Sequence, residues 1–72
     1  MKITFTTHAK TSLLFRGIDA WKAKDVVKLP SWKETQKDGS VAARREFEGQ
    51  TLEVIYVVYT SEIVIKTAYY VD

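Results

Sequence analysis

Thr51-Leu52-Glu53-Val54-Ile55-Tyr56-Val57-Val58-Tyr59 is the stretch on which the fold turns. Its β-branched and aromatic residues suit a pleated, half-buried surface, so it reads as a long strand. Successive side chains of a strand point to opposite faces. Leu52, Val54, Tyr56 and Val58 form the more apolar set; Glu53, Ile55, Val57 and Tyr59 form the other. Working outward, the period of two continues. Glu48-Gly49-Gln50 makes the turn before this strand, and Val41 to Phe47 is the strand before that turn. Lys37-Asp38-Gly39-Ser40 holds an Asp-Gly pair, a strong hairpin signal, and leads back to a strand from Trp32 to Gln36. On the other side Thr60-Ser61-Glu62 turns the chain into a last strand, Ile63 to Tyr70.

The faces follow from the alternation. Ile63, Ile65, Thr67 and Tyr69 oppose Val64, Lys66, Ala68 and Tyr70, and the sets with Glu53 and Lys66 are expected to face away from the helices. Ala42, Arg44 and Glu46 are expected on that same outer face, which puts Val41, Ala43, Phe47 and, near the edge, Arg45 on the helix side. The outer face stays half apolar through Ile55, Val57, Val64, Tyr59 and Tyr70, a composition that often marks an interface.

Before Pro30 the pattern is different. Lys2 to Thr6 alternates as a short strand, and Thr6 or Thr7 offers an N-cap for a helix from His8 to Arg16. Ala9 and Leu13, with Leu14 and Phe15, supply its apolar contacts, and Gly17 ends it in the left-handed conformation that glycine tolerates. Asp19 is an N-cap for a second helix over about Ala20 to Lys28, with Ala23, Val26 and Val27 at helical spacing after Ile18. Pro30 prevents further helix. The expected fold is α+β in the order β-α-α-β-β-β-β, with two helices packed on one face of a curved antiparallel sheet.

Seventy-two residues make one domain, 1–72, with a thin core. There is no cysteine, which excludes disulfides, zinc-thiolate sites and thiol nucleophiles. No apolar run approaches the ~18 residues of a spanning helix, and Met1 to His8 lacks a signal-peptide pattern, so the expected location is cytoplasmic, with no membrane partner. A small domain without staples and with an apolar outer face is expected to form a homodimer through the sheet or its edge. Charge is uneven. Residues 1–36 carry seven Lys and Arg against three Asp and Glu, a net of +4; residues 37–72 carry four against six, a net of −2. The basic half either steers a nucleic acid or acidic partner, or coats exposed helix faces with lysine.

His8, Ser12 and Arg16 are spaced i, i+4, i+8, along one helix face. Cleavage of RNA by its 2′-OH needs a proton acceptor, a proton donor and a cation on the phosphorane oxygens. His8 is the only side chain that titrates unperturbed near neutral pH. His8 and Arg16 stand about 12 Å apart along the helix axis, too far to clamp one phosphate alone. The structural alternative has His8 capping the helix or packing against the sheet edge, and Arg16 pairing with a carboxylate or a backbone carbonyl. Trp21 lies on the polar side of the second helix, either as a partner hot spot or folded over the helix end, and Trp32 is expected at the sheet edge. No phosphate-binding glycine loop and no acidic metal cluster is present, and a single histidine argues against a metal site. No cofactor is expected.

The motif His8-Ala9-x-x-Ser12-Leu13-x-x-Arg16-Gly17-Ile18 resembles the opening of a widespread prokaryotic domain family, DUF4258, which typically reads His-Ala-x-x-Arg-Met-x-x-Arg-Gly-Ile. Pro30, the Arg44-Arg45 pair, the strand Leu52 to Val58 and the segment Ile63 to Tyr70 fit the same family in order and spacing. The chain departs from it at Ser12, where the family usually has arginine. The resemblance covers nearly the whole chain and implies a RelE-like toxin layout. It further implies a metal-independent ribonuclease acting on RNA, with an antitoxin-like protein as partner. RelE-like toxins bind RNA on the sheet and use arginine, lysine and tyrosine, which turns attention to Arg44, Arg45, Lys66, Tyr59, Tyr69 and Tyr70. On this resemblance the catalytic candidates are His8, Arg16, Arg44, Lys66 and Tyr70, and the RNA-binding candidates are Arg45, Tyr59 and Tyr69. Against it, Glu46, Glu48 and Glu53 share these strands and repel phosphate; the competing expectation is a protein-interaction module whose outer face carries cross-strand salt bridges, such as Glu53 with Arg44 or Lys66.

Overall fold

The computed structural model describes residues 1–71. They form β1 (Lys2–Phe5), α1 (Thr7–Arg16), α2 (Ala20–Lys28), β2 (Trp32–Thr35), β3 (Val41–Phe47), β4 (Gln50–Val58) and β5 (Glu62–Val71). The helix ends are made by the residues expected to make them. The Thr6 hydroxyl accepts a bond from the Ala9 N–H at 3.0 Å, which satisfies one of the donors a helix start leaves open. At the other end Gly17 takes φ 65°, and the Ile18 N–H returns to the Leu13 carbonyl at 2.9 Å. This left-handed closure turns the buried Ile18 back onto the buried Leu13. Asp19 occupies the N-cap position of α2 without a side-chain cap bond.

The sheet has strand order β1-β5-β4-β3-β2. β2 to β5 form an antiparallel meander, as expected, and β1 joins β5 in parallel at the far edge, making the sheet mixed. The parallel pair arises because the two helices intervene between β1 and the meander, and the last strand returns beside the first. In the β3–β4 hairpin Phe47 pairs with Gln50 across Glu48-Gly49. Both turn residues have positive φ, 52° and 84°, the conformation whose twist suits a two-residue hairpin.

Both helices pack on one face. Ala9 and Leu13 of α1, Ala23, Val26 and Val27 of α2, and Ala43, Leu52, Val54, Tyr56, Ile65 and Ala68 of the sheet form the core. Leu52, Ile65, Val26 and Val54 are its largest fully buried side chains, each stabilising the fold by about 1.5–3 kcal/mol. The assignment of β4 therefore holds at Leu52, Val54 and Tyr56, while Val58, at the strand end, is 51% exposed. Leu14 and Phe15 make no core contact and are 85% and 93% exposed: α1 lays only the Ala9–Leu13 stripe on the sheet.

The last strand needs a correction. Tyr56 pairs with Ile65 but Ile55 pairs with Thr67, leaving Lys66 as an extra residue in β5. Such a bulge reverses the phase of alternation. Ile63 and Ile65 face the helices before it, and Ala68 and Tyr70 face them after it. The expected outward position of Val64 holds; that of Ala68 and Tyr70 does not, and Thr67 and Tyr69 take their place. The bulge lies where β1 ends: the Thr6 N–H bonds to the Ile65 carbonyl at 3.0 Å and the Thr6 hydroxyl to the Lys66 carbonyl at 3.4 Å.

Candidate functional site

Four residues on four adjacent strands lie directly opposite one another on the face that the helices leave open. Trp32 pairs with Arg44, Arg44 with Glu53, and Glu53 with Tyr69. The row crosses the sheet at right angles to its strands and spans about 14 Å. Its side chains are joined. The Arg44 Nε donates to Glu53 Oε1 at 2.6 Å, and the Tyr69 hydroxyl donates to Glu53 Oε2. The Arg44 guanidinium lies 4.7 Å from the Trp32 ring centroid, a cation–π contact. Arg16, at the end of α1, extends the row past the sheet edge: its guanidinium stands 5.9 Å from the Tyr69 ring centroid while Nη1 donates to the Ala68 carbonyl at 2.8 Å. The Ala68 carbonyl is free to accept because β1 covers β5 only as far as Ile65.

The carboxylate is the anchor of this row. Glu53 is 7% exposed, and a buried carboxylate persists where it is paired. The bond to Glu53 is the main cause that raises the Tyr69 pKa above its ordinary value, with burial adding to it; the phenol stays protonated. Two guanidinium groups and one carboxylate leave the row with one net positive charge. Arg44 engages Glu53 through Nε alone, and its Nη groups make no hydrogen bond among the described residues.

Of the residues singled out from the sequence, the structure brings Arg16, Arg44 and Tyr69 together. The expected Arg44–Glu53 salt bridge is formed, and Arg16 does bond a backbone carbonyl. The others lie elsewhere. His8 is exposed in the first turn of α1, with Nε2 3.5 Å from the Ser12 hydroxyl, and no hydrogen bond or ion pair joins it to the row among the described residues. Because α1 starts beside Ile65 and Lys66 and ends beside Ala68, the tyrosine end of β5 meets Arg16 instead of His8. Tyr70 is on the helix side, partly buried against the core, since the bulge exchanges it with Tyr69. Arg45 is also on the helix side, its guanidinium 5.3 Å from the Phe47 ring centroid and its Nη1 buried without a hydrogen-bond partner among the described residues. Lys66 is exposed at the bulge, three residues or about 10 Å along β5 from Tyr69; its charge helps hold the Asp38 carboxyl low, behind the larger effect of hydrogen bonds from Ser40. Tyr59 is 57% exposed beyond the end of β4, six residues or about 20 Å from Glu53. Trp21 folds onto the sheet end, edge-on to Phe47 at 6.0 Å.

Trp32 was expected at the sheet edge but not as the stacking partner of Arg44. The register set by the Asp38-Gly39 turn is the signal that could have placed it. The surface forms no pocket among the described residues, so the row is an open platform. No helix of the described residues is long and apolar enough to cross a membrane. Comparison of the chain with protein-family models, curated proteins and solved structures finds no match.

Proposed function

We propose that this domain is a metal-independent ribonuclease that engages single-stranded RNA across the open face of its sheet. One observation carries the reading: Arg16, Arg44 and Tyr69, drawn from a helix and two strands, meet in a single row with Trp32 at its end. Arginine donors hold phosphate oxygens, and exposed aromatic rings stack bases, the combination that single-stranded RNA requires. The motifs shared with DUF4258 point the same way. Glu46, two residues along β3 on the same face, repels phosphate and keeps the RNA path on the row.

The test is incubation of the purified protein with a single-stranded oligoribonucleotide in EDTA. Cleavage to a 2′,3′-cyclic phosphate is expected, slowed about 10²-fold by Arg44→Ala. Binding of a non-cleavable 2′-deoxy oligomer is expected to weaken with salt at a log–log slope of about −1.4, as two phosphate contacts require. Protein that leaves RNA intact, fails to bind the oligomer and sediments near twice the 8.3 kDa chain mass is the interaction module instead.

A further inference from the structure

We propose that Glu53 is the general base of the cleavage step and that Tyr69 returns its proton to the leaving group. This rests on the ribonuclease reading and names the groups that perform it.

The starting point is an anomaly of composition. On the open face of β4 Glu53 stands between Thr51 and Ile55, with Val57 beyond, and an apolar residue at its place would stabilise the sheet without the cost of desolvating a carboxylate. The chain instead holds an acid there, buried, with each oxygen engaged by a different group: Oε1 by Arg44 and Oε2 by Tyr69. The Arg44 Nη groups remain available beside it, and Arg16 stands against the other side of Tyr69. One acceptor, one donor and two cations therefore lie in one contact row. His8 is outside that row, so the group expected from the sequence to move protons is not where the cations are.

The step balances within the row. The 2′-OH gives its proton to a Glu53 carboxylate oxygen as the O2′–P bond forms. The P–O5′ bond breaks, and the departing O5′ takes the phenolic proton of Tyr69. Protonated Glu53 then returns a proton to Tyr69 along their hydrogen bond, restoring both groups. The products are a 2′,3′-cyclic phosphate and a 5′-hydroxyl; no water, metal or oxidant enters. Arg44, beside Glu53, holds a non-bridging oxygen of the scissile phosphate while negative charge accumulates on it, and Arg16, beyond Tyr69, holds the neighbouring phosphate. The raised Tyr69 pKa keeps the phenolic proton in place at neutral pH, and the return path from Glu53 regenerates the donor at each turnover.

The experiment compares wild type, Glu53→Gln and Tyr69→Phe for cleavage of a fluorescent oligoribonucleotide in EDTA across pH, and for binding of its 2′-deoxy analogue. Glu53→Gln keeps the shape and the acceptor for Arg44 but cannot take a proton. It is expected to cut at least about 10²-fold more slowly, to lose the acidic limb of the pH–rate profile, and to bind the deoxy oligomer at least as tightly as wild type does, since a negative charge beside Arg44 is removed. Tyr69→Phe, which leaves the carboxylate, is expected to keep the acidic limb and to slow cleavage. It serves as the second variant should Glu53→Gln fail to fold by circular dichroism. Glu53→Gln cleaving like wild type, or the acidic limb vanishing on His8→Ala instead, overturns the assignment while the ribonuclease reading stands. Wild type that neither binds the deoxy oligomer nor cuts RNA overturns both.

Discussion

Leu52, Val54 and Tyr56 alternate with Glu53, Ile55 and Val57 in one strand, and the two sets are held by different physics. The first set is covered by both helices and stabilised by burial, which is non-directional and tolerates small shifts. The second set has no layer over it. Its polar half is held by directional contacts, from Trp32 through Arg44 and Glu53 to Tyr69. One strand thus serves as both the floor of a core and the axis of a polar platform, provided the register with its two neighbours holds to the residue. A slip by one would put Glu53 under the helices.

Substitution on the covered side has the largest expected effect. Leu52→Ala is expected to cost about 3 kcal/mol, a large part of the roughly 4–11 kcal/mol available to a chain of this length. Ile55→Ala, three residues along the same strand and half-buried on the open face, is expected to cost about 1 kcal/mol. Urea unfolding of the two variants measures the gap, and equal losses would show that the open face is as much a core as the other.

Register is the next lever. Glu48 holds φ 52° in the two-residue turn that sets Arg44 opposite Glu53. Asparagine adopts that conformation more readily, so Glu48→Asn is expected to add roughly 0.5–1 kcal/mol. Both faces gain together, because the turn aligns both; thermal unfolding checks it, and a lowered midpoint would mean that the Glu48 side chain contributes more than its backbone costs.

The smallest effect appears only in alkali. The Tyr69 pKa is raised chiefly by its bond to Glu53, and that of Tyr56 by burial under the helices. A folded-state pKa above the unfolded value of about 10 contributes stability that is fully present below pH ~10 and is lost as pH rises through the folded pKa. Stability is therefore expected to fall above about pH 10, with Tyr69→Phe removing the open-face share and leaving that of Tyr56. Melting curves from neutral pH to pH ~11 separate them; an identical alkaline loss in Tyr69→Phe would assign the whole effect to the covered face.

Much of the architecture is legible without coordinates because it depends on neighbours in the chain. Thr6, Gly17 and Pro30 bound the helices through bonds and sterics within a few residues. The Asp38-Gly39 and Glu48-Gly49 turns bring β2, β3 and β4 into antiparallel order, and that order puts Arg44 forward, beside Lys66, as a partner for Glu53. Leu14 and Phe15 mislead, because apolarity alone does not say which stripe of a short helix meets the sheet.

The order of elements, the helix limits and the two faces of β4 follow from the amino-acid sequence, since each is set by local conformation or by adjacent hairpins; that Glu53 pairs with Arg44 and not with Lys66 does not. Tertiary structure alone decided that β1 lies parallel to β5, that Lys66 bulges where that pairing ends, and that Tyr69 therefore replaces Tyr70 on the open face. It alone brought Arg16 to Tyr69, fifty-three residues away in the chain, and left His8 apart. The physical reason is common to all of these. They depend on closing the first strand against the last across the whole domain, and a contact of that separation leaves no periodicity in the residues that make it.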